Sequence, residues 1–87
     1  MNHGDFWTAI TILCLAYKGR VTSGARAPER NAEVAGEQNS YHVLGLGADI
    51  VLPNYENLDI FRTHADRLGL RIFDERNKKG HLHLQPK

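Results

Sequence analysis

The sequence LRIFDERNKKGHLHLQ, residues 70–85, predicts a β-hairpin. Leu70, Ile72 and Asp74 alternate with other residues, which is typical of a strand with two different faces. The charged run of residues 75–80 ends in glycine and predicts the turn, and the residues after it predict the returning strand. This hairpin decides the fold, because a strand pair of this kind needs a larger sheet or a helix to cover one of its faces.

Two further elements are predicted upstream of the hairpin. A buried strand is expected over residues 48–52, ended by Pro53, because proline cannot donate a hydrogen bond to a central ladder. A helix is expected to begin at Asn54 or Asn57 and to end at Gly69. The apolar residues that recur at helical spacing within it are Leu58, Phe61, Ala65 and Leu68.

The N-terminal part predicts another helix and a short strand. The apolar residues of 6–17 recur at three- and four-residue spacing, with Asp5 as the expected N-cap. Lys18 and Gly19 give the matching signal for the helix C-terminus. Residues 20–23 favour a strand.

The order of these elements indicates an α+β fold, in which a small, mainly antiparallel sheet is flanked by two helices. A long loop over residues 24–41 separates the first strand from the second, and loops of that length in compact domains are commonly functional. The 87 residues have room for one core, so residues 1–87 are expected to form a single domain and the chain to be a monomer.

Composition excludes several classes of function. The net charge of +1 and the scattered basic residues argue against binding nucleic acid. The apolar stretch of residues 6–17 is shorter than the ~20 residues that span a bilayer, so we expect no stable membrane insertion. Asp5 precedes that stretch with no Lys or Arg, so no signal peptide is predicted and the chain is expected to be cytoplasmic where it is made.

Histidines and one carboxylate carry the metal chemistry that the sequence suggests. His42 and Asp49 flank the turn of residues 45–47, whose glycines allow a sharp bend that can bring the two side chains together. His81 and His83 are two positions apart on a strand, so they project from the same face. Two histidines and an aspartate meet the ligand count of a catalytic zinc site, although many domains carry such residues without a metal.

Three ordered motifs resemble the zinc D-Ala-D-Ala carboxypeptidases of the hedgehog and DD-peptidase superfamily. The segments VTSGAR at 21–26, RN at 30–31 and NSYH at 39–42 look like that family's approach to its first ligand. Residues 40–49 resemble its Ser-x-His-x-x-Gly-x-Ala-x-Asp motif, with Gly47 in place of the alanine. Residues 81–83 resemble its closing His-x-His, so the likeness covers 21–85.

The resemblance implies one Zn²⁺ ion bound by His42, Asp49 and His83, and a hedgehog/DD-peptidase-like fold. It further implies that Arg26 binds the substrate carbonyl oxygen as that oxygen gains negative charge, and that Ser40 lies near the substrate. His81 is implied as a catalytic group that donates a hydrogen bond or moves a proton.

One departure from the family concerns the general base. Many relatives place Glu or Asp three residues before the last ligand, and this chain has Gly80 there. His81 is then the candidate base, and Asp74 and Glu75 remain alternatives if the hairpin folds inward. An aromatic residue that relatives often place before the arginine is Ala25 here, which removes a wall for substrate stacking.

The resulting expectation is a zinc metallopeptidase that hydrolyses a peptide bond in the stem peptides of peptidoglycan through zinc-activated water. It would be a D,D-carboxypeptidase or an endolysin-type endopeptidase, encoded by a phage and acting on the cell wall after release. Two alternatives stay open. One is a non-catalytic zinc-stabilised binding module of hedgehog-like type, and the other is an α+β domain that binds no metal.

Overall fold

The computed structural model describes residues 1–23 and 45–87, which form a four-stranded antiparallel sheet and three helices. This confirms the predicted α+β class with its mainly antiparallel sheet. The predicted loop of residues 24–41 lies outside the described residues. In chain order the elements are α1 (His3–Tyr17), β1 (Arg20–Ser23), β2 (Ala48–Val51), α2 (Leu58–Arg67), β3 (Leu70–Asp74), α3 (Arg76–Lys79) and β4 (Leu82–Pro86).

The first helix begins earlier than the sequence suggested. Its N-cap is Asn2, whose side-chain oxygen accepts a hydrogen bond from the Asp5 backbone N–H at 2.8 Å. The prediction of Asp5 as the cap was therefore wrong, because an asparagine three residues upstream already serves the first turn. Asp5 lies within that first turn, where its negative charge interacts favourably with the helix dipole.

Helix ends follow the local sequence more closely. The residue that ends α1 in the left-handed backbone conformation is Lys18, with φ 58°, and not Gly19. The backbone N–H groups of Lys18 and Gly19 both donate to the Cys14 carbonyl. At the start of α2 the cap position is Asn57, although its side chain makes no capping hydrogen bond. Gly69 follows α2 at φ 82°, a conformation that glycine adopts without steric cost, as predicted for the end of that helix.

The sheet has the strand order β1-β2-β4-β3, so the central strands come from distant parts of the chain. β3 and β4 form the predicted antiparallel hairpin, and α3 lies in its turn. β2 pairs with the other side of β4, with Asp49 opposite His83. On β3, Phe73 lies opposite His83, so Asp49, His83 and Phe73 form one row across the sheet.

The core lies between one face of the sheet and helices α1 and α2. Strand residues of β2 and β4 that are two positions apart, such as Leu82 and Leu84, are fully buried there. The other face of the sheet is left for the polar residues between them. The core residues are Phe6, Ala9, Ile10, Leu13, Ala48, Ile50, Phe61, Ala65, Leu70, Leu82 and Leu84.

We predict that Ile50→Val lowers the free energy of unfolding by about 1 kcal/mol, because deleting one buried methylene leaves a small cavity in the core. Ile50 is fully buried, whereas Ile60 is 61% exposed. The matched control Ile60→Val should change the free energy of unfolding by less than about 0.5 kcal/mol. Urea denaturation followed by circular dichroism measures both, and equal effects of the two substitutions would contradict the placement of Ile50 in the core.

Candidate metal centre

The polar face of the sheet gathers Asp49 from β2 with two histidines at β4. His83 lies in β4 and His81 immediately before it, and the alternation with Leu82 and Leu84 turns both imidazoles away from the core. The prediction that the two histidines share a face is confirmed by their common approach to Asp49. The pairing of β2 with β4 therefore assembles this group.

Asp49 is the centre of the group. Its Oδ1 atom lies 2.9 Å from Nδ1 of His83 and 3.4 Å from Nε2 of His81. The exposed fractions of the three side chains are 12% for Asp49, 14% for His83 and 15% for His81. A carboxylate with so small an exposed fraction needs polar partners, because removing a charge from water without such partners costs free energy.

Glu75 joins the group from the hairpin turn. Its Oε1 atom lies 2.8 Å from Nε2 of His81, and its side chain is 34% exposed. The Glu75 backbone N–H donates to the carbonyl of His81 at 3.1 Å, so the two residues face each other across the base of the turn. The alternation of β3 places Glu75 on the same sheet face as Phe73.

The neighbouring carboxylate, Asp74, lies on the opposite side of the hairpin from the Glu75 carboxylate. It accepts hydrogen bonds from the Arg76 guanidinium at 2.9 and 2.8 Å and from the Arg76 backbone N–H at 3.1 Å. The guanidinium of Arg76 lies over the ring of Tyr55 at 4.3 Å. Of the two acidic residues suggested for an inward fold of the hairpin, Glu75 is therefore the one that contacts a histidine, His81.

Two hydrogen bonds raise the pKa of His83. The hydrogen bond to Asp49 raises the pKa of His83 above its usual value, and partial burial acts in the opposite direction. Nε2 of His83 also lies 2.9 Å from the side-chain oxygen of Gln85, which raises the pKa further. The largest cause of the raised pKa is therefore the hydrogen bond to Asp49.

Asp49, Glu75 and His81 could hold a metal ion. One ligand atom from each lies within 4.8 Å of the others, and all three side chains are partly buried. Carboxylate oxygen and imidazole nitrogen together suit transition metals such as zinc, while calcium and magnesium favour oxygen alone. The residues present therefore fit a metal ion, with His83 next to the group through its 2.9 Å contact with Asp49.

The structure brings together part of the site expected from the sequence. Asp49, His81 and His83 meet, whereas the remaining predicted residues, Arg26, Ser40 and His42, lie outside the described residues. The sequence interpretation gave Glu75 no role at the metal, treating it as a turn residue and a possible base. The sequence signal that could have found Glu75 is the alternation of side chains along β3. Extended by one residue beyond Asp74, it places Glu75 on the same face as Phe73.

Gly80 has a structural reason to be glycine. It ends α3 with φ 75°, in the left-handed region that side chains with a Cβ rarely adopt. A carboxylate at this position would strain the turn. The hairpin instead brings a carboxylate to the cluster from its other end, at Glu75.

Comparison of the chain with protein-family models, with curated protein sequences and with solved structures found no significant match. Among the described residues, every helix is too short or too polar to cross a membrane.

The ion pair of Asp74 with Arg76 gives a pH-dependent prediction. The Arg76 hydrogen bonds lower the pKa of Asp74 to about 2 from an ordinary value of 3.8. A folded-state pKa below the unfolded value means that the pair stabilises the protein above pH 3.8, and that this stabilisation is lost as pH falls toward 2. We therefore expect Asp74→Asn to lower the melting temperature at pH 6 and to have a smaller effect as the pH approaches 2.

Thermal melts of both proteins across that pH range test the expectation, together with a carboxyl NMR titration of Asp74. A midpoint near 3.8 for the Asp74 carboxyl group, or an effect of the substitution that does not change with pH, would contradict it.

Proposed function

We propose that this chain is a zinc metallopeptidase with a hedgehog/DD-peptidase-like fold, acting on the stem peptides of peptidoglycan. The zinc ligands are His42, Asp49 and His83. The observation that supports the proposal best is the partly buried group of carboxylates and imidazoles on the polar face of the sheet, centred on Asp49.

Zinc is an ion that this donor set could bind. Zinc is bound by His nitrogen and carboxylate oxygen, and catalytic zinc sites take three protein ligands and keep a further position for water or substrate. When bound, zinc polarises a carbonyl group and lowers the pKa of a water molecule to about 7. The contact of Asp49 with His83 at 2.9 Å is consistent with two ligands of one ion.

The side chains near the metal have separate tasks in this proposal. His81, 3.4 Å from Asp49, moves a proton or donates a hydrogen bond to the substrate. Arg26 binds the carbonyl oxygen as it becomes negatively charged, and Ser40 contacts the substrate. The choice of peptidoglycan stem peptides as substrate rests on the resemblance of the sequence motifs.

Two observations favour a second function. Asp49 lies in β2, Glu75 in the hairpin turn and His81 immediately before β4, so a metal ion among them would cross-link three segments of a small domain. Gly80 also lacks the carboxylate that many relatives keep. The chain would then be a non-catalytic zinc module whose groove binds a partner.

We predict that Asp49→Ala, His83→Ala and His42→Ala each weaken zinc binding by more than ~100-fold, because loss of even an outer contact to a metal ligand costs 10–100-fold. Peptidase activity on muropeptides should fall with zinc content. Metal analysis and competition with a chelating dye measure the first effect, and chromatography of the digested muropeptides measures the second. His64→Ala, a histidine on α2 that contacts Tyr17, is the matched control and should keep zinc.

Chelation separates the enzyme from the structural module. For the enzyme, cleavage is abolished by EDTA and restored by zinc. For the module, EDTA lowers the melting temperature, zinc restores it, and the zinc-loaded protein cleaves neither muropeptides nor dipeptides. Zinc content below one tenth of an ion per chain after zinc addition would contradict both.

A further inference from the structure

We infer that the groove between β3 and α2 binds an extended, acidic segment of a partner protein, which adds to the sheet as a further strand beside β3. The groove shares no residue with the group of Asp49, Glu75 and His81. The inference therefore depends neither on a metal ion nor on the proposed peptidase function.

β3 is an edge strand of the sheet. The order β1-β2-β4-β3 gives it one neighbour, β4, and within residues 1–23 and 45–87 no strand pairs with its other side. An edge strand presents a row of backbone N–H and C=O groups to which another extended chain can hydrogen-bond. The outer side of β3 is therefore able to pair with an added strand.

Hydrogen bonds at both ends of the hairpin identify the backbone groups of β3 that face outward. The Lys87 N–H donates to the Gly69 carbonyl at 3.0 Å, and the Glu75 N–H donates to the His81 carbonyl at 3.1 Å. Hydrogen-bonded pairs alternate with non-hydrogen-bonded pairs in an antiparallel ladder, so every second residue counted from Gly69 bonds to β4. The backbone groups of the residues between them point away from β4; these residues are Leu70, Ile72 and Asp74.

Helix α2 forms the second wall of the groove. Residues 70–72 of β3 lie on one side, Arg62, Thr63 and Asp66 of α2 lie on the other, and the enclosed volume is about 540 Å³. Three strand residues span about 10 Å at ~3.4 Å per residue, so the groove accommodates an extended segment of about three or four residues. A strand placed here pairs with β3 and contacts the helix.

The charge of the groove favours an acidic occupant. Three cationic side chains line it, those of Arg62, Arg71 and Lys87, and the carboxylate of Asp66 is its one acidic group. The Lys87 ammonium group is paired with the Asp66 carboxylate. The charges of the two arginines are therefore left for carboxylates of the occupant.

Both arginines are accessible to such carboxylates. Arg71 is exposed and forms no ion pair with any carboxylate of the described residues. The Arg62 side chain is 44% exposed and lies 3.8 Å from Asp74. The Asp74 carboxylate already accepts two hydrogen bonds from the Arg76 guanidinium, at 2.9 and 2.8 Å, so its contact with Arg62 is the weaker one.

The placement of the two arginines predicts which acidic sequence binds. Arg71 alternates with Leu70 and Ile72 of the core face, so its side chain lies on the polar face of the sheet, whereas Arg62 belongs to the helix that covers the core face. Neighbouring residues of an added strand also point to opposite faces. Two adjacent acidic residues would each reach one arginine, which makes such a pair the expected recognition element.

A second copy of this chain is a poorer occupant of the groove than an acidic peptide. Pairing two β3 strands edge to edge would bring two grooves of the same positive charge together, and like charges across an interface disfavour association. The partner is therefore expected to be a different protein with an acidic, extended segment.

The test titrates the full chain with two end-blocked peptides, TVEEVT and TVQQVT, which differ only in charge. We expect saturable binding of TVEEVT and binding of TVQQVT that is weaker by at least about fourfold, because two partly exposed ion pairs are lost. Arg62→Glu and Arg71→Glu should each weaken TVEEVT binding by more than about fivefold. Arg67→Glu, at an exposed arginine of α2 outside the groove, is the matched control and should change it by less than about twofold.

Two measurements on the unchanged protein locate the peptide. On binding, the outward N–H groups of Ile72 and Asp74 should gain protection from hydrogen exchange, while that of Arg20 on the opposite edge strand should not change. Two further TVEEVT peptides carry N-methyl groups on alternate residues. One of them should bind about tenfold more weakly or less and the other should keep its affinity, because only alternate N–H groups of an added strand face β3.

Every other outcome overturns part of the inference. No saturable binding at ~1 mM TVEEVT overturns the groove as a peptide site. Equal affinity for TVEEVT and TVQQVT, or an equal effect of Arg67→Glu and Arg62→Glu, overturns the acidic specificity. Retained binding of both N-methylated peptides overturns strand addition. Concentration-dependent protection of Ile72 and Asp74 without peptide, with a dimer in sedimentation, identifies a second copy as the occupant and overturns the acidic partner.

Discussion

The pairing of β2 with β4 is the interaction on which the rest of this structure depends. It places Ala48 and Ile50 beside Leu84 and Leu82 on the core face, and it places Asp49 opposite His83 on the other face. A slip of one residue in this register would turn the buried side chains of β2 toward solvent and Asp49 into the core. The hydrophobic pattern of the two strands therefore fixes which face of the sheet carries the polar cluster around Asp49.

The polar cluster brings two carboxylates and two imidazoles together in a partly buried position. Asp49, His81 and His83 are each at most 15% exposed, and they lie beside a second carboxylate, Glu75. Without a metal the cluster is satisfied by hydrogen bonds, and the pKa of His83 rises because Asp49 lies beside it. A metal ion bound by Asp49, Glu75 and His81 would be a further positively charged partner for both carboxylates.

The hairpin turn brings the Glu75 carboxylate to His81. The left-handed backbone at Gly80 closes the turn, and this conformation disfavours a glutamate or aspartate there. The same turn places Glu75 opposite His81, which adds a second carboxylate to the cluster. Asp74 and Arg76 shape the turn from its outer side through their ion pair.

Periodicity and end signals in the sequence determined the secondary structure, since both are properties of neighbouring residues. The apolar spacing of residues 6–17 predicted α1, and the alternation beginning at Leu70 predicted the hairpin, although the N-cap of α1 was assigned to Asp5 instead of Asn2. The common face of His81 and His83 was predictable for the same reason, because alternation depends on local backbone geometry.

Tertiary structure decided which groups meet. Asp49 and His83 are 34 positions apart, and nothing within either strand specifies that β2 lies beside β4. The contact arises from burying the apolar faces of both strands under α1 and α2, which is a property of the whole core. Tertiary structure also decided that Glu75 and not Asp74 joins the cluster. Arg76 holds Asp74 through hydrogen bonds, whereas the path of the turn brings Glu75 to His81.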